Sequence, residues 1–170
     1  MKMIKYSTVI GIDPAFRDNG FCLCAIKGEE VLFSNYKLGF LDFMEDIKSV
    51  DGGDYSETII AVENSNLQNT SFDITGSKGV IARKGRNVGS NQAISQLVVD
   101  FIKRYTKAKV LDLSPQRKGR KWNQAQFEAI MKQEGHKAPK KKRGNNQDER
   151  DGYKLALIAL KELKRLNNCK

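Results

Sequence analysis

Val9-Ile-Gly-Ile-Asp-Pro14 is an apolar run that ends in a carboxylate and is closed by proline. Such a run reads as a buried strand, and proline cannot donate to a continuing ladder, so Asp13 belongs at the lip of a sheet. Thr58-Ile-Ile-Ala-Val-Glu63 repeats the pattern and brings Glu63 to a second strand end. Near the C-terminus, Asp148-Glu-Arg-Asp151 holds two acids three residues apart, which are neighbours on one helix face. Carboxylates converging at one sheet edge repel one another unless a cation holds them. In a chain of 170 residues with a formal net charge of +10, this pattern predicts a magnesium-dependent enzyme acting on a polyanion.

Working outward from Asp13, three strand-like runs open the chain: Tyr6 to Ile12, Gly20 to Ile26 and Val31 to Tyr36, separated by Asp18-Asn-Gly20 and Gly28-Glu-Glu30. Short turns between consecutive strands predict an antiparallel meander. Leu41 to Val50 has helical spacing and stops before Asp51-Gly-Gly53; the apolar strand ending at Glu63 follows, as expected of a crossover to a parallel neighbour. Asn64 to Ser90 lacks sustained periodicity and is expected to be a long functional loop. Ser90 or Asn91 can cap a helix with the stripe Ile94, Leu97, Val98, Phe101 and Ile102, which is either core or a partner surface. A fifth strand is predicted over Lys109 to Leu113, a helix from Trp122 or Asn123 to about Gln133, a basic loop over Gly135 to Gln147, and a last helix from near Asp148.

The length suits one domain over residues 1–170, able to bury about two-thirds of its unfolded surface. Three cysteines, Cys22, Cys24 and Cys169, form neither a zinc-knuckle spacing nor a disulfide framework, so a reducing, cytoplasmic setting is expected. No apolar run approaches the roughly 18 residues needed to span a bilayer, which predicts no membrane partner. The positive charge is clustered: Lys103 to Arg143 holds fourteen Lys/Arg against Asp112, Glu128 and Glu134. Such a patch is the electrostatic footprint of nucleic-acid binding. Candidate phosphate contacts are Lys78, Arg83, Lys84 and Arg86, then Arg117, Lys118, Arg120 and Lys121, then Lys140, Lys141, Lys142 and Arg143.

The order of elements is that of an α/β ribonuclease H-like fold, a mixed five-stranded sheet flanked by helices. Ile10-Gly-Ile-Asp-Pro-Ala-Phe-Arg-Asp-Asn-Gly20 resembles the first motif of the RuvC family of Holliday junction resolvases. Ala61-Val-Glu63 resembles that family's second acidic strand end, and Asp148-Glu-Arg-Asp-Gly-Tyr-Lys-Leu-Ala-Leu-Ile-Ala159 its closing helix. Asn91-Gln-Ala and Leu113-Ser-Pro-Gln-Arg-Lys-Gly-Arg-Lys121 are similar to family segments in order and spacing. Two departures stand out. Ala15 replaces a glycine after Asp13-Pro14, and Asn66 stands where cellular members carry a base-stacking aromatic, the nearest here being Phe72. The resemblance therefore implies a phage-type enzyme that is more structure-selective than sequence-selective.

The resemblance implies that Asp13, Glu63, Asp148 and Asp151 hold two Mg²⁺ ions, with Mn²⁺ able to substitute, and cut a phosphodiester to leave 5′-phosphate and 3′-hydroxyl ends. It implies a four-way DNA junction as substrate and a homodimer with two identical sites, located in the cytoplasm, that of the host if the chain is phage-encoded. The helix of Ile94 to Ile102 is the candidate interface. Singly, Asp148 reads better as a residue favoured by a helix dipole and Glu63 as a buried hydrogen-bonded acid, but together these readings do not explain why all four acids fit one pattern. Competing readings are a nuclease on RNA–DNA hybrids or other branched DNA, a non-catalytic junction-binding protein, and a small actin-like ATPase fragment. His136 is expected to be neither ligand nor base, and Trp122 and Phe127 to be core residues.

Overall fold

The computed structural model describes residues 6–15, 21–49, 54–68, 75–137 and 144–168. Phe72 and the Lys140 to Arg143 tract lie outside the described residues. Five strands, β1 (Thr8–Asp13), β2 (Phe21–Lys27), β3 (Glu30–Tyr36), β4 (Thr58–Glu63) and β5 (Lys109–Leu113), form one sheet in the order β3-β2-β1-β4-β5. β1, β2 and β3 pair antiparallel, whereas β4 pairs parallel with both β1 and β5. This mixed order is that of a ribonuclease H-like fold. β1 and β4 take the centre because their residues are apolar on both faces, as strands covered on both sides must be.

The period-2 alternation of the strands feeds two cores. Ile10, Ile12, Leu23, Ile60 and Val62 face one side. There they meet Phe43 and Ile47 of α1 (Phe40–Ser49) and Ile94, Val98, Phe101 and Ile102 of α2 (Lys78–Tyr105). Val9, Cys24, Ile26, Ile59 and Ala61 face the other. They meet Phe127 and Met131 of α4 (Gln124–Gln133) and Tyr153, Leu155, Ala156 and Ala159 of α5 (Gln147–Asn168). Cys22 and Cys24 are buried, and among the described residues neither is in a disulfide. The stripe from Ile94 to Ile102 is therefore core of its own chain, and only Leu97 of it stays exposed.

α2 departs furthest from the sequence reading. It starts at Lys78, not near Ser90, and runs 28 residues, about 42 Å at the helical rise. Asn64 to Ser90, which lacks periodicity and suggests a loop, thus contains a short 3₁₀ turn at Ser65–Leu67 and the first half of this helix. Residues 78–86 are exposed apart from half-buried Val80, so no apolar stripe betrays them, and Gly79, Gly85 and Gly89 depress their helix propensity. Helix growth is cooperative once a nucleus exists, and the packed turns from Ile94 onward supply that nucleus.

One glycine sets the distance between sheet and helix. A Cβ on Gly11 of β1 would stand 2.1 Å from the Gly152 carbonyl oxygen and 2.3 Å from the Ala156 nitrogen of α5. Strand and helix backbones touch there, which no residue with a side chain permits. α5 therefore lies directly on the strand that ends in Asp13.

Candidate active site

Parallel pairing of β1 with β4 aligns Ile12 with Val62, so Asp13 and Glu63 follow at adjacent strand ends. β4 pairs in turn with β5, with Glu63 opposite Leu113. Immediately beyond, Ser114 Oγ accepts from the Gln116 amide at 3.3 Å, and Pro115 opens the one-turn helix α3 (Pro115–Lys118), the usual place for proline. That turn brings Lys118 back over the sheet edge. Its ammonium stands 2.6 Å from Glu63 Oε2, 3.2 Å from Asp151 Oδ2 and 3.3 Å from Asp13 Oδ2. Apart from this ion pair, the buried Glu63 Oε2 has no hydrogen-bond partner. Three carboxylates from β1, β4 and α5 thus share one cation.

The first turn of α5 is anchored by residues the sequence reading passed over. Asn146 Oδ1 accepts from the Glu149 amide at 2.8 Å, and Glu149 Oε2 accepts from the Asn146 amide at 3.3 Å. This reciprocal pair is a capping box, and its Asn-x-x-Glu signature stands in the sequence. Glu149, only 1% exposed, also accepts from Asn35 of β3 at 2.7 Å and from Asn145 at 2.8 Å, tying the helix start to the sheet. Gln147 Nε2 donates to Asp151 Oδ1 at 2.8 Å, while the Arg150 guanidinium donates to Gln147 Oε1 at 3.0 Å and to Gln124 Oε1 at 3.2 Å. These contacts fix which way Asp151 faces.

The electrostatics follow from crowding. Burial, together with the Glu63 and Asp151 carboxylates, pushes the Asp13 carboxyl up to about 7 against the opposing pull of Lys118. Burial works against the Lys118 ammonium, but Asp13, Glu63 and Asp151 outweigh it and hold its pKa above that of an ordinary lysine. Asp148 is pushed up by burial and by Asp151, while Lys121 and Lys118 pull it down. It sits on the rim of the cluster and is not among the ion partners of Lys118.

Lys118, read from the sequence as a phosphate contact, is thus turned inward, whereas Arg117, Arg120 and Lys121 are exposed beside the site. Lys78, Arg83, Lys84 and Arg86 are exposed along the first half of α2, and Lys84 donates to the Thr75 carbonyl at 3.3 Å. Asn66 bonds its own neighbourhood, Nδ2 donating to the Gln92 carbonyl at 2.7 Å. His136 stands apart from the acids, with Nδ1 2.7 Å from the Tyr153 hydroxyl. Phe127 is buried, and Trp122 is partly buried against the same core.

No protein-family model matches the chain, and no curated protein matches it in sequence. Among solved structures, T. thermophilus RuvC in complex with a Holliday junction substrate aligns at a TM-score of 0.49 and 12% identity, covering 95% of this chain and 98% of that chain. Among the described residues no helix is long and apolar enough to cross a membrane.

The donor set suits a hard divalent cation: carboxylate oxygens only, crowded enough to raise a carboxyl pKa, around a point where positive charge is already needed. Among the described residues no three acids, histidines or cysteines are arranged to enclose a metal ion as they stand, because the carboxylates are spread around the ammonium. A metal held by these carboxylates would take the place of the Lys118 ammonium.

Proposed function

We propose that this chain is a RuvC-like, Mg²⁺-dependent DNA endonuclease that resolves four-way junctions by paired nicks leaving 5′-phosphate and 3′-hydroxyl ends. The observation that carries the reading is the convergence of Asp13, Glu63 and Asp151, from three separate elements, on the Lys118 ammonium. A stable fold gains little from gathering buried like charges, whereas metal-assisted hydrolysis of a phosphodiester uses them as ligands.

Asp13, Glu63 and Asp151, with Asp148 at the rim, are the residues that would hold the metal. Divalent cations at such sites activate an attacking water and steady the leaving oxygen of a phosphodiester. The rest of the work belongs to the chain. Asp13, whose carboxyl burial and the Glu63 and Asp151 carboxylates push up to about 7, exchanges a proton near neutrality. Lys118, once drawn from the carboxylates, is tethered where a phosphate oxygen arrives. Arg117, Arg120 and Lys121 line the approach, and the basic residues on the first half of α2 add further phosphate contacts. A junction has near two-fold symmetry and must be cut twice, which calls for a two-fold dimer. The buried thiols Cys22 and Cys24 suit a reducing cytoplasm.

A second reading has one observation in its favour: the carboxylates are already neutralised by Lys118, as in a structural ion cluster of a non-catalytic junction-binding protein. A labelled synthetic four-way junction, beside linear duplex, flap and RNA–DNA hybrid, with and without Mg²⁺, separates the readings. Symmetric metal-dependent nicks in the junction alone support the proposal. Cutting confined to the hybrid, or tight binding with no product, refutes it.

A further inference from the structure

Beside the carboxylate cluster, α3, α4 and α5 enclose a cleft of about 340 Å³, within the size range of small-ligand sites. Its apolar part is formed by Trp122, Ile130, Leu157 and Ile158. Its charged part holds five Lys/Arg, with Arg117, Lys161 and Lys164 among them, against a single acid, Glu134. Glu134 is 3.8 Å from Lys164, leaving Arg117 and Lys161 without an acid of this lining set against them. The Lys154 ammonium lies 4.4 Å from the centre of the Trp122 ring and donates to the Arg120 carbonyl, so the indole is held in a fixed orientation. Lys118 belongs both to this lining and to the carboxylate cluster.

We propose that this cleft takes one unstacked nucleotide of the DNA strand next to the cut, its base on the Trp122 floor and its phosphate on the Arg117, Lys161 and Lys164 rim. A purely apolar ligand leaves the cations unanswered, and inorganic phosphate leaves the indole and aliphatic floor empty. A nucleotide supplies both a π-face and a negative charge. A branch point is where a base leaves its stack at least cost. The inference rests on the nuclease reading and adds to it a place where an unstacked nucleotide is recognised.

Trp122 is the sole tryptophan, so its emission reports occupancy directly. The protein is titrated, in EDTA so that nothing is cut, with a labelled duplex carrying one unpaired thymidine and with the same duplex fully paired. DNA anisotropy and Trp122 emission are followed together. The unpaired thymidine is expected to quench Trp122 and to tighten binding about ten-fold, within the range of one base–aromatic stack. Both differences should vanish in Lys161→Glu/Lys164→Glu and persist in Lys27→Glu/Lys37→Glu, an equal charge change at exposed positions elsewhere. Equal anisotropy curves with unchanged Trp122 emission overturn the cleft assignment and leave the nuclease reading standing. So does loss of the difference in both double variants. Failure to bind the duplex with the unpaired thymidine also overturns the cleft assignment, while the nuclease reading stands or falls with the junction-cleavage assay.

Discussion

Replacing Gly11 with alanine tests how the site is assembled. The new Cβ would lie 2.1 Å from the Gly152 carbonyl oxygen, and ordinary contact begins at 3.4 Å, so the helix backbone must retreat by about 1.3 Å. Both obstructing groups are main chain and cannot swing aside. Overpacking a core costs about 1–3 kcal/mol, occasionally more, and a whole helix must move here, so the upper end, about 3 kcal/mol, is expected. For a chain of this size that lowers Tm by roughly 6–12 °C. The same retreat carries Asp151 away from Asp13, and misplacement by about 1 Å costs on the order of 100-fold in rate. Melting followed by far-UV circular dichroism, with the initial rate of junction nicking measured well below Tm, reads both effects. Gly89→Ala is the control. Its Cβ meets nothing within 4 Å, and the exposed helix there should gain about 0.5–1 kcal/mol. A Gly11→Ala protein that melts within about 2 °C of the native chain and nicks at full rate would refute the reasoning.

Asp13→Asn should abolish nicking and leave junction affinity within about two-fold, since one uncharged substitution among many phosphate contacts changes binding little; a gel-shift titration beside the cleavage assay checks this, and an active variant removes Asp13 from the machinery. In chelator the raised Asp13 pKa gives a definite sign. Its contribution to stability is complete below pH 3.8 and is lost as pH rises through about 7, so Tm should fall across that window relative to Asp13→Asn, and saturating Mg²⁺ should flatten the difference. Lys118→Met leaves three buried carboxylates facing one another and should cost about 3–5 kcal/mol without metal. Differential scanning fluorimetry should then show a larger Mg²⁺-induced shift for the variant than for the native chain, and equal shifts contradict competition between ammonium and metal. Junction affinity should fall steeply between about 50 and 200 mM salt, and a flat response contradicts phosphate contacts through Arg117, Arg120 and Lys121.

The strands were legible because buried strands advertise themselves. Lys109 to Leu113 was bounded without error, and β1 and β4 end at the carboxylates that close their apolar runs. The first half of α2 was not legible, since its exposed polar residues and three glycines follow no period and its helicity is inherited from the turns packed after Ile94. The inward turn of Lys118 was hidden in a basic run whose other members face solvent, although the Ser114-Pro115 cap just past the strand beside Glu63 was a usable signal. The Gly11 contact with α5 had no local signature, because it exists only once two segments some 140 residues apart in sequence have met.

The shared ammonium changes what a metal at this site would be for. In small zinc domains the ion is the keystone, and removing it unfolds the chain because ligand charges have no other answer. Here the answer is covalently attached. Lys118 arrives with the backbone at an effective concentration no dissolved cation matches, so the carboxylates are gathered and held before any ion enters. Folding and activation by a metal would be separate events, and the first could be complete in a cell starved of the ion. The affinity for a metal would then be a net quantity, the gain at the carboxylates minus the loss of an intramolecular rival, and it would strengthen whenever an arriving phosphate offered that lysine somewhere else to go.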